Sequence, residues 1–257
     1  MIPKTAYLHS PPLRVNLQIR LEIAYKQYYM FYVSLTFPTV YESRFTMTQQ
    51  SSTPARNTSS SSGSTARLNT RDLINAGIFA ALYFVITFVT GMVGFAGPQF
   101  MFIGWFIAAI ANGIVLALYA ARTPKMGAFT LVGGINGLAF MLTGHYFWTL
   151  LGSIILGFIA DLIITKSHLG IAKSFPIAYG VFCAWVSLPF IPLIMDTDSY
   201  YVDIADQMGQ EYADAMSDIF QPWTIGVLAI CALIVGFIGG KVGVRVSRKH
   251  FESAGLL

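Results

Sequence analysis

Charged side chains are scarce in this sequence. Asp, Glu, Lys and Arg make up 11% of its 257 residues, against 55% hydrophobic residues. A soluble domain carries about 25% charge, so the chain lacks the polar cover that a water-facing surface needs. Cysteine is scarce as well: Cys183 and Cys231 both fall inside apolar runs, where they read as small hydrophobes and not as a disulfide framework. No Cys/His cluster suggests a zinc site, and no P-loop or other nucleotide motif is present. The formal net charge is +4, but the basic residues stand at the ends of apolar segments and form no patch for nucleic acid. No charged leader runs into an apolar core and a small-residue cleavage site, so no removable signal peptide is expected.

What is present divides into two unlike parts. Residues 1–71 are polar and irregular, and residues 72–257 are almost continuously apolar. Gln49 to Arg67 is a Ser/Thr run that cannot bury a core and reads as a disordered tail. The longest uncharged stretch before it, Gln27 to Tyr41, is broken by Pro38 and is shorter than the roughly 20 residues of a spanning helix. Met47 is expected to be the native start, with residues 1–46 an over-extended gene start.

From Asp72 onward the pattern predicts an all-α integral membrane bundle of six transmembrane helices. The expected spans are Leu73 to Val93, Phe100 to Ala121, Gly127 to Leu142, Phe147 to Thr165, Phe175 to Met195 and Trp223 to Val246. The third is short and glycine-rich. Pro189 and Pro192 are expected to kink the fifth. Eight Lys or Arg follow Asp72: Arg122, Lys125, Lys166, Lys173, Lys241, Arg245, Arg248 and Lys249. All lie after the second and fourth spans or at the end of the sixth, and Arg67 and Arg71 precede the first. Basic residues flanking spans stay cytoplasmic, so both termini are expected in the cytoplasm of a plasma-membrane protein. The opposite face is acidic, with Asp196, Asp198, Asp203, Asp206, Glu211, Asp214 and Asp218 between the fifth and sixth spans. That segment is long enough for a lid, with an amphipathic helix expected over Val202 to Ile219.

Small residues four apart recur at Ala76/Ala80, Ala109/Gly113, Gly133/Gly137 and Gly236/Gly240. Helices in lipid associate through such close contacts. Ala76, Gly77, Ala80 and Ala81 together make a smooth patch that either packs inside the chain or receives a helix of another protein. Asp161, the one acidic residue inside a span, either reaches the inner interface, pairs with Lys166 or Arg122, or serves as a proton or cation site. Asn112 and Asn136 sit near mid-depth as hydrogen bonds between helices or as ligand contacts. Gln99, His145, Tyr146, Trp148, Tyr200 and Trp223 gather at the outer ends of the spans. They belong to the interfacial aromatic belt or line a pocket for a small polar or ring-bearing solute. The acidic outer face accommodates a cationic or neutral ligand more readily than an anionic one.

No span contains a His to serve an intramembrane serine nucleophile, and Asp161 has no partner ligands for a metalloprotease. The chain is therefore expected not to be an enzyme and to need no cofactor or metal.

The run DLINAGIFAALYFV from Asp72 to Val85 resembles helix 1 of the substrate-binding S components of energy-coupling factor (ECF) transporters. RKHFESAGLL, from Arg248 to Leu257, resembles the tail of their MptD or Trep_Strep type. The run from Gly144 through Asp161 and the aspartate–tyrosine segment after the fifth span are similar too. The resemblance implies a six-helix subunit that captures a micronutrient outside the cell. It also implies a membrane T component and two ABC ATPases as partners, with ATP hydrolysis confined to them. Ala76 and Ala80 match the Ala-x-x-x-Ala patch with which such subunits pack on the T component. The rival expectation is a self-sufficient secondary transporter coupled through Asp161. No inverted repeat joins the first three spans to the last three, which speaks against it.

Overall fold

The computed structural model describes residues 68–253, which lie within a compact unit formed by Thr65–Leu257. The expectations for residues 1–46 and for the Ser/Thr tail fall outside the described residues. Among the described residues every regular element is helical.

Among the described residues five helical segments are long and apolar enough to cross a membrane. The first is α1 (Thr70–Gly91), prolonged by 3-10 turns to Ala96. Next come α2 (Met101–Arg122), α4 (Phe147–Lys166), the broken segment Ile171–Met195, and α9 (Thr224–Val246). A shorter apolar helix, α3 (Ala128–Leu142), lies between α2 and α4. Its 15 residues rise only about 22 Å, less than a bilayer's hydrocarbon thickness of about 30 Å. The broken segment consists of α5 (Ile171–Cys183), a 3-10 stretch over Ala184–Phe190, and α6 (Ile191–Met195). Pro189 and Pro192 lack the N–H that α-helical bonding requires, and the chain changes its winding there. This span begins at Ile171 and not at Phe175, because Lys173 and Ser174 join its first turn.

Packing closes these helices into a ring in the order α1, α2, α9, α5, α4, α3 and back to α1. Glycines decide where neighbours meet. A Cβ on Gly113 would lie 2.3 Å from the Gly239 carbonyl oxygen, and one on Gly243 would lie 2.1 Å from the Gly113 carbonyl oxygen. The stripe Gly239/Gly243 therefore seats α9 against α2, backbone to backbone. A second stripe on α9 seats it on α5, with Gly236 against Cys183 and Gly240 against Pro176. Gly133, Gly137 and Gly157 do the same between α3 and α4. Aromatic residues fill the centre, where Tyr83, Tyr119, Phe129, Phe175, Tyr179 and Phe182 are all buried. The outward surface is apolar as well, with Ile78, Phe106, Ile155 and Ile234 about half-exposed. A bundle with oily faces both inside and outside suits lipid as its solvent.

The N-terminus of α1 is tied down twice. Asn69 and Asp72 form a reciprocal capping box, at 3.0 and 2.8 Å. Lys125, from the loop after α2, reaches the Asp72 carboxylate at 2.7 Å. The small-residue patch on α1 divides between its two expected settings. Ala76 and Ala80 are turned inward and are 1% and 0% exposed, because they share the buried face with Phe79 and Tyr83. Of the four patch residues only Gly77 and Ala81 reach the surface, among exposed Leu73, Ile74, Ile78 and Leu82.

At the far end the segment after α6 forms two helices, α7 (Thr197–Met208) and α8 (Gln210–Ile219), where one was expected. Gly209 breaks them with φ of 90°, a left-handed value that other residues reach only under strain. The pair carries a core of its own: Tyr200, Tyr212, Met216 and Phe220 pack on Phe190, Leu193, Ile225 and Leu228. The Tyr212 hydroxyl donates to the Gly94 carbonyl at 3.1 Å, pinning α8 to the turn after α1.

The glycine contacts are testable within one helix. Gly243→Ala should lower stability by about 1–3 kcal/mol by forcing α9 off α2. Gly226→Ala, where nothing lies within 4 Å of the added methyl, should be neutral or slightly stabilising. Thermal unfolding of the two detergent-solubilised variants checks this.

Candidate functional site

The aspartate inside α4 is settled by geometry. Gly127 stands at the N-cap of α3, where its φ of 92° makes the turn but it has no side chain to cap the helix. Its first N–H groups are satisfied from across the bundle. Asp161 Oδ1 accepts from Phe129 N at 2.9 Å, and Oδ2 accepts from Gly127 N at 3.1 Å and Thr130 N at 2.9 Å. The Thr130 hydroxyl donates to the same Oδ2 at 2.6 Å. The four donors and the positive end of the helix dipole offset part of the cost of burying this carboxylate. Neither Lys166 nor Arg122 pairs with it among the described residues. Asp161 fastens α3 to α4, and both its oxygens are already engaged.

The residues expected at the outer pocket separate into groups. Tyr146, Trp148 and Tyr200 come together with Pro192, Met195, Asp196, Ser199 and Asp203 around an open groove of about 290 Å³. α4 supplies the wall bearing Trp148, with Tyr146 just before it, and α6 and α7 supply the opposite wall. The Tyr146 hydroxyl donates to Asp203 Oδ2 at 3.1 Å, bridging the two walls. Burial, then the neighbouring carboxylate, raises the Tyr146 phenol above its usual pKa. Asp196 caps α7 by accepting from Ser199 N at 3.1 Å. Two carboxylates among aromatic rings suit a cationic or neutral solute with a flat apolar part.

Asn112 lines a different cavity, a cleft of about 250 Å³ between α1, α2, α5 and α9. Its walls include Tyr83, Thr87, Trp105, Tyr179, Cys183 and Trp185. Asn112 Nδ2 donates to Thr87 Oγ1 at 2.8 Å and to the Tyr83 carbonyl at 3.3 Å. The expected hydrogen bond between helices is thus made. Its Oδ1, equally buried, has no protein partner among the described residues. Trp185 Nε1 donates to the Tyr83 hydroxyl at 2.7 Å, and the Tyr179 hydroxyl donates to the Ala109 carbonyl at 2.8 Å.

The remaining four expected residues line neither cavity. Gln99 is exposed in the turn before α2, and its amide lies against Gly97. Trp223 is 70% exposed where α9 begins, the position of an interfacial belt residue. Asn136 is fully buried, and neither amide atom finds a protein partner among the described residues. His145 folds back onto its own loop: its ring stands edge-on to Phe140 at 5.1 Å, and Nδ1 is 3.2 Å from the Phe140 carbonyl oxygen. Sequence reasoning missed Asp196 and Asp203 as groove residues, since nothing singles them out among seven acidic neighbours. It also missed Trp185 and Tyr179, although a Trp and a Tyr deep within an apolar span are themselves a signal.

A family model described as a hypothetical bacterial integral membrane protein (Trep_Strep) matches residues 70–253. The chain belongs to this family. It is accordingly a multi-pass membrane protein, and the matched region coincides with the helical ring and its two-helix cover. No curated protein and no solved structure matches the chain.

Two outcomes follow from these contacts. Asp161→Ala, which strands four donors, should destabilise by roughly 2–4 kcal/mol, read as a lowered thermal midpoint. For His145, burial holds the pKa below its ordinary 6.5. As pH falls through 6.5 the unfolded chain takes up a proton that the folded chain refuses, so stability declines on the acid side. His145→Gln should lose part of that decline, measured by comparing thermal midpoints of variant and wild type at pH 7.5 and 5.5.

Proposed function

We propose that this chain is the substrate-binding S component of an ECF-type importer, capturing a small cationic or neutral micronutrient at its outer end. The observation that carries the reading is the groove in which Tyr146, Trp148 and Tyr200 meet Asp196 and Asp203 beside the two-helix cover. In this reading α3 also spans, which gives six spans. The basic loops after α2 and α4 and the basic end of α9 then lie in the cytoplasm with both termini, and the groove faces outward across the plasma membrane. The chain has no nucleotide motif, so ATP hydrolysis belongs to two ABC ATPases, coupled through a membrane T component.

Docking on that T component falls to the exposed side of α1. Gly77 and Ala81 leave a shallow place among Leu73, Ile74, Ile78 and Leu82, where a helix can approach closely. Ala76 and Ala80 act behind this face by seating α1 on its neighbours. The rival reading, a secondary transporter coupled through Asp161, is the less favoured of the two. A carboxylate holding four donors at a helix terminus is poorly suited to exchange protons or cations.

The test is affinity purification of the tagged chain from native membranes, with mass spectrometry of proteins and small molecules. Recovery of a T component and ATPases is expected, with a solute displaced by Asp203→Ala. Ala81→Trp should abolish recovery of the partners and leave the thermal midpoint within a few degrees of wild type. Recovery of the chain alone would overturn the proposal.

A further inference from the structure

The cleft around Asn112 and the outer groove differ in chemistry and in access. Glycines hold α2 and α9 together over their inner halves, at Gly113, Gly239 and Gly243. Toward the outer end α9 continues with Val235, Ala232, Cys231 and Leu228, and α2 with Ala109, Phe106, Trp105 and Phe102. These residues flank the cleft. From the water side the cleft is roofed by rings. Phe190 and Phe220 are stacked at 4.8 Å, Phe102 stacks on Phe220 at 5.8 Å, and Trp105 stands edge-on to Phe190 at 5.8 Å. On its flank the lining residues are themselves on the outer surface of the ring: Phe106 is 52% exposed, and Cys231 is exposed. The open side is therefore the one between α2 and α9, which faces acyl chains in a bilayer.

The polar chemistry inside is specific. Thr87 uses its hydroxyl proton on the Tyr83 carbonyl, at 2.9 Å, so toward Asn112 it can only accept. The Tyr83 carbonyl can likewise only accept. Asn112 therefore presents its NH2 to both, and turning the amide over would set its oxygen against the Tyr83 carbonyl oxygen, acceptor to acceptor, at 3.3 Å. Oδ1 is then a fully buried acceptor without a donor among the described residues, on a residue of the wall of a cleft whose lining carries no charged residue. An unmet acceptor in an apolar site selects for a neutral N–H or O–H donor and against ions.

We propose that the cleft binds a small, neutral, ring-bearing molecule with one hydrogen-bond donor, which enters sideways from the lipid between α2 and α9. The molecule lies between Trp105, Trp185 and Tyr179, and its donor meets Asn112 Oδ1. This site is separate from the outer groove and needs neither partner subunits nor ATP.

Indole and indene, bicycles of closely similar shape with and without an N–H, test the proposal. Each is titrated into the full chain in nanodiscs, with empty nanodiscs subtracted to remove partition into lipid. Saturable binding is expected, with indole favoured over indene roughly tenfold. Ala232→Phe, which fills the cleft from α9, should remove both. Asn112→Leu should make the two probes equal. If that variant fails to fold, the Ala232→Phe result and the indole-to-indene ratio decide. Asp203→Ala in the outer groove should leave indole binding unchanged. Signal equal to empty nanodiscs, equal affinity of the two probes for wild type, retention of binding by Ala232→Phe, or loss of binding in Asp203→Ala would each overturn the assignment.

Discussion

The rest of this structure depends on how closely its helix backbones can approach. Lipid tails are as apolar as the side chains they surround, so burying a leucine between two helices yields little, and contact must come from fit. Here the fit is backbone on backbone. Gly113 meets Gly239 and Gly243 between α2 and α9, and Gly133 meets the Ser153 carbonyl between α3 and α4. α9 carries two glycine stripes, one for α2 and one for α5, and so stands at the joint of the ring. The closeness of α2 and α9 at Gly113, Gly239 and Gly243 also sets where the cleft begins. The same contact that holds the ring together fixes the lower limit of its internal cavity.

Asp161 shows how such a ring handles a helix that cannot look after itself. α3 begins at a glycine in a left-handed conformation, which supplies the turn and withholds a cap. The cap arrives from α4, one turn beyond Gly157, the glycine that lets α4 lie against Phe129 and Thr130 at the start of α3. A charge in a membrane segment is usually read as a sign of transport. Here all of its hydrogen-bonding capacity goes to backbone and hydroxyl donors, as an N-terminal anion would use it in a soluble protein.

Much of the architecture was legible in the sequence because apolar run length and small-residue spacing are written there directly. α2, α3 and α4 begin and end within about a residue of expectation, and the pairs Ala109/Gly113, Gly133/Gly137 and Gly236/Gly240 all mark real approaches. The second stripe, Gly239/Gly243, was hidden in the same glycine-rich run. The inward turn of Ala76 and Ala80 was not legible, since an Ala-x-x-x-Ala spacing gives the face and not its direction. The partners of Asp161 are backbone N–H groups, which every residue but proline has and which leave no mark in a sequence. The outer groove was half legible: aromatic residues near the ends of spans drew attention to Tyr146, Trp148 and Tyr200. Trp223 met the same criterion and proved to be a surface residue, as did Gln99, which was singled out for its place between two spans, because proximity along the membrane normal says nothing of position around the ring.

The brevity of α3 has a consequence for the membrane itself. Its outer face, with Ile135, Leu138 and Leu142 exposed, offers lipid a hydrophobic height of only about 22 Å beside neighbours that are longer by a third or more. Lipid against that face must shorten by several ångströms, at a fraction of a kcal/mol for each, or the whole ring must lean to lower α3 into register. Were α3 to span, the bilayer around the molecule would be uneven, thin on one flank and full on the other, or the ring would stand at a tilt that the surrounding lipid prefers.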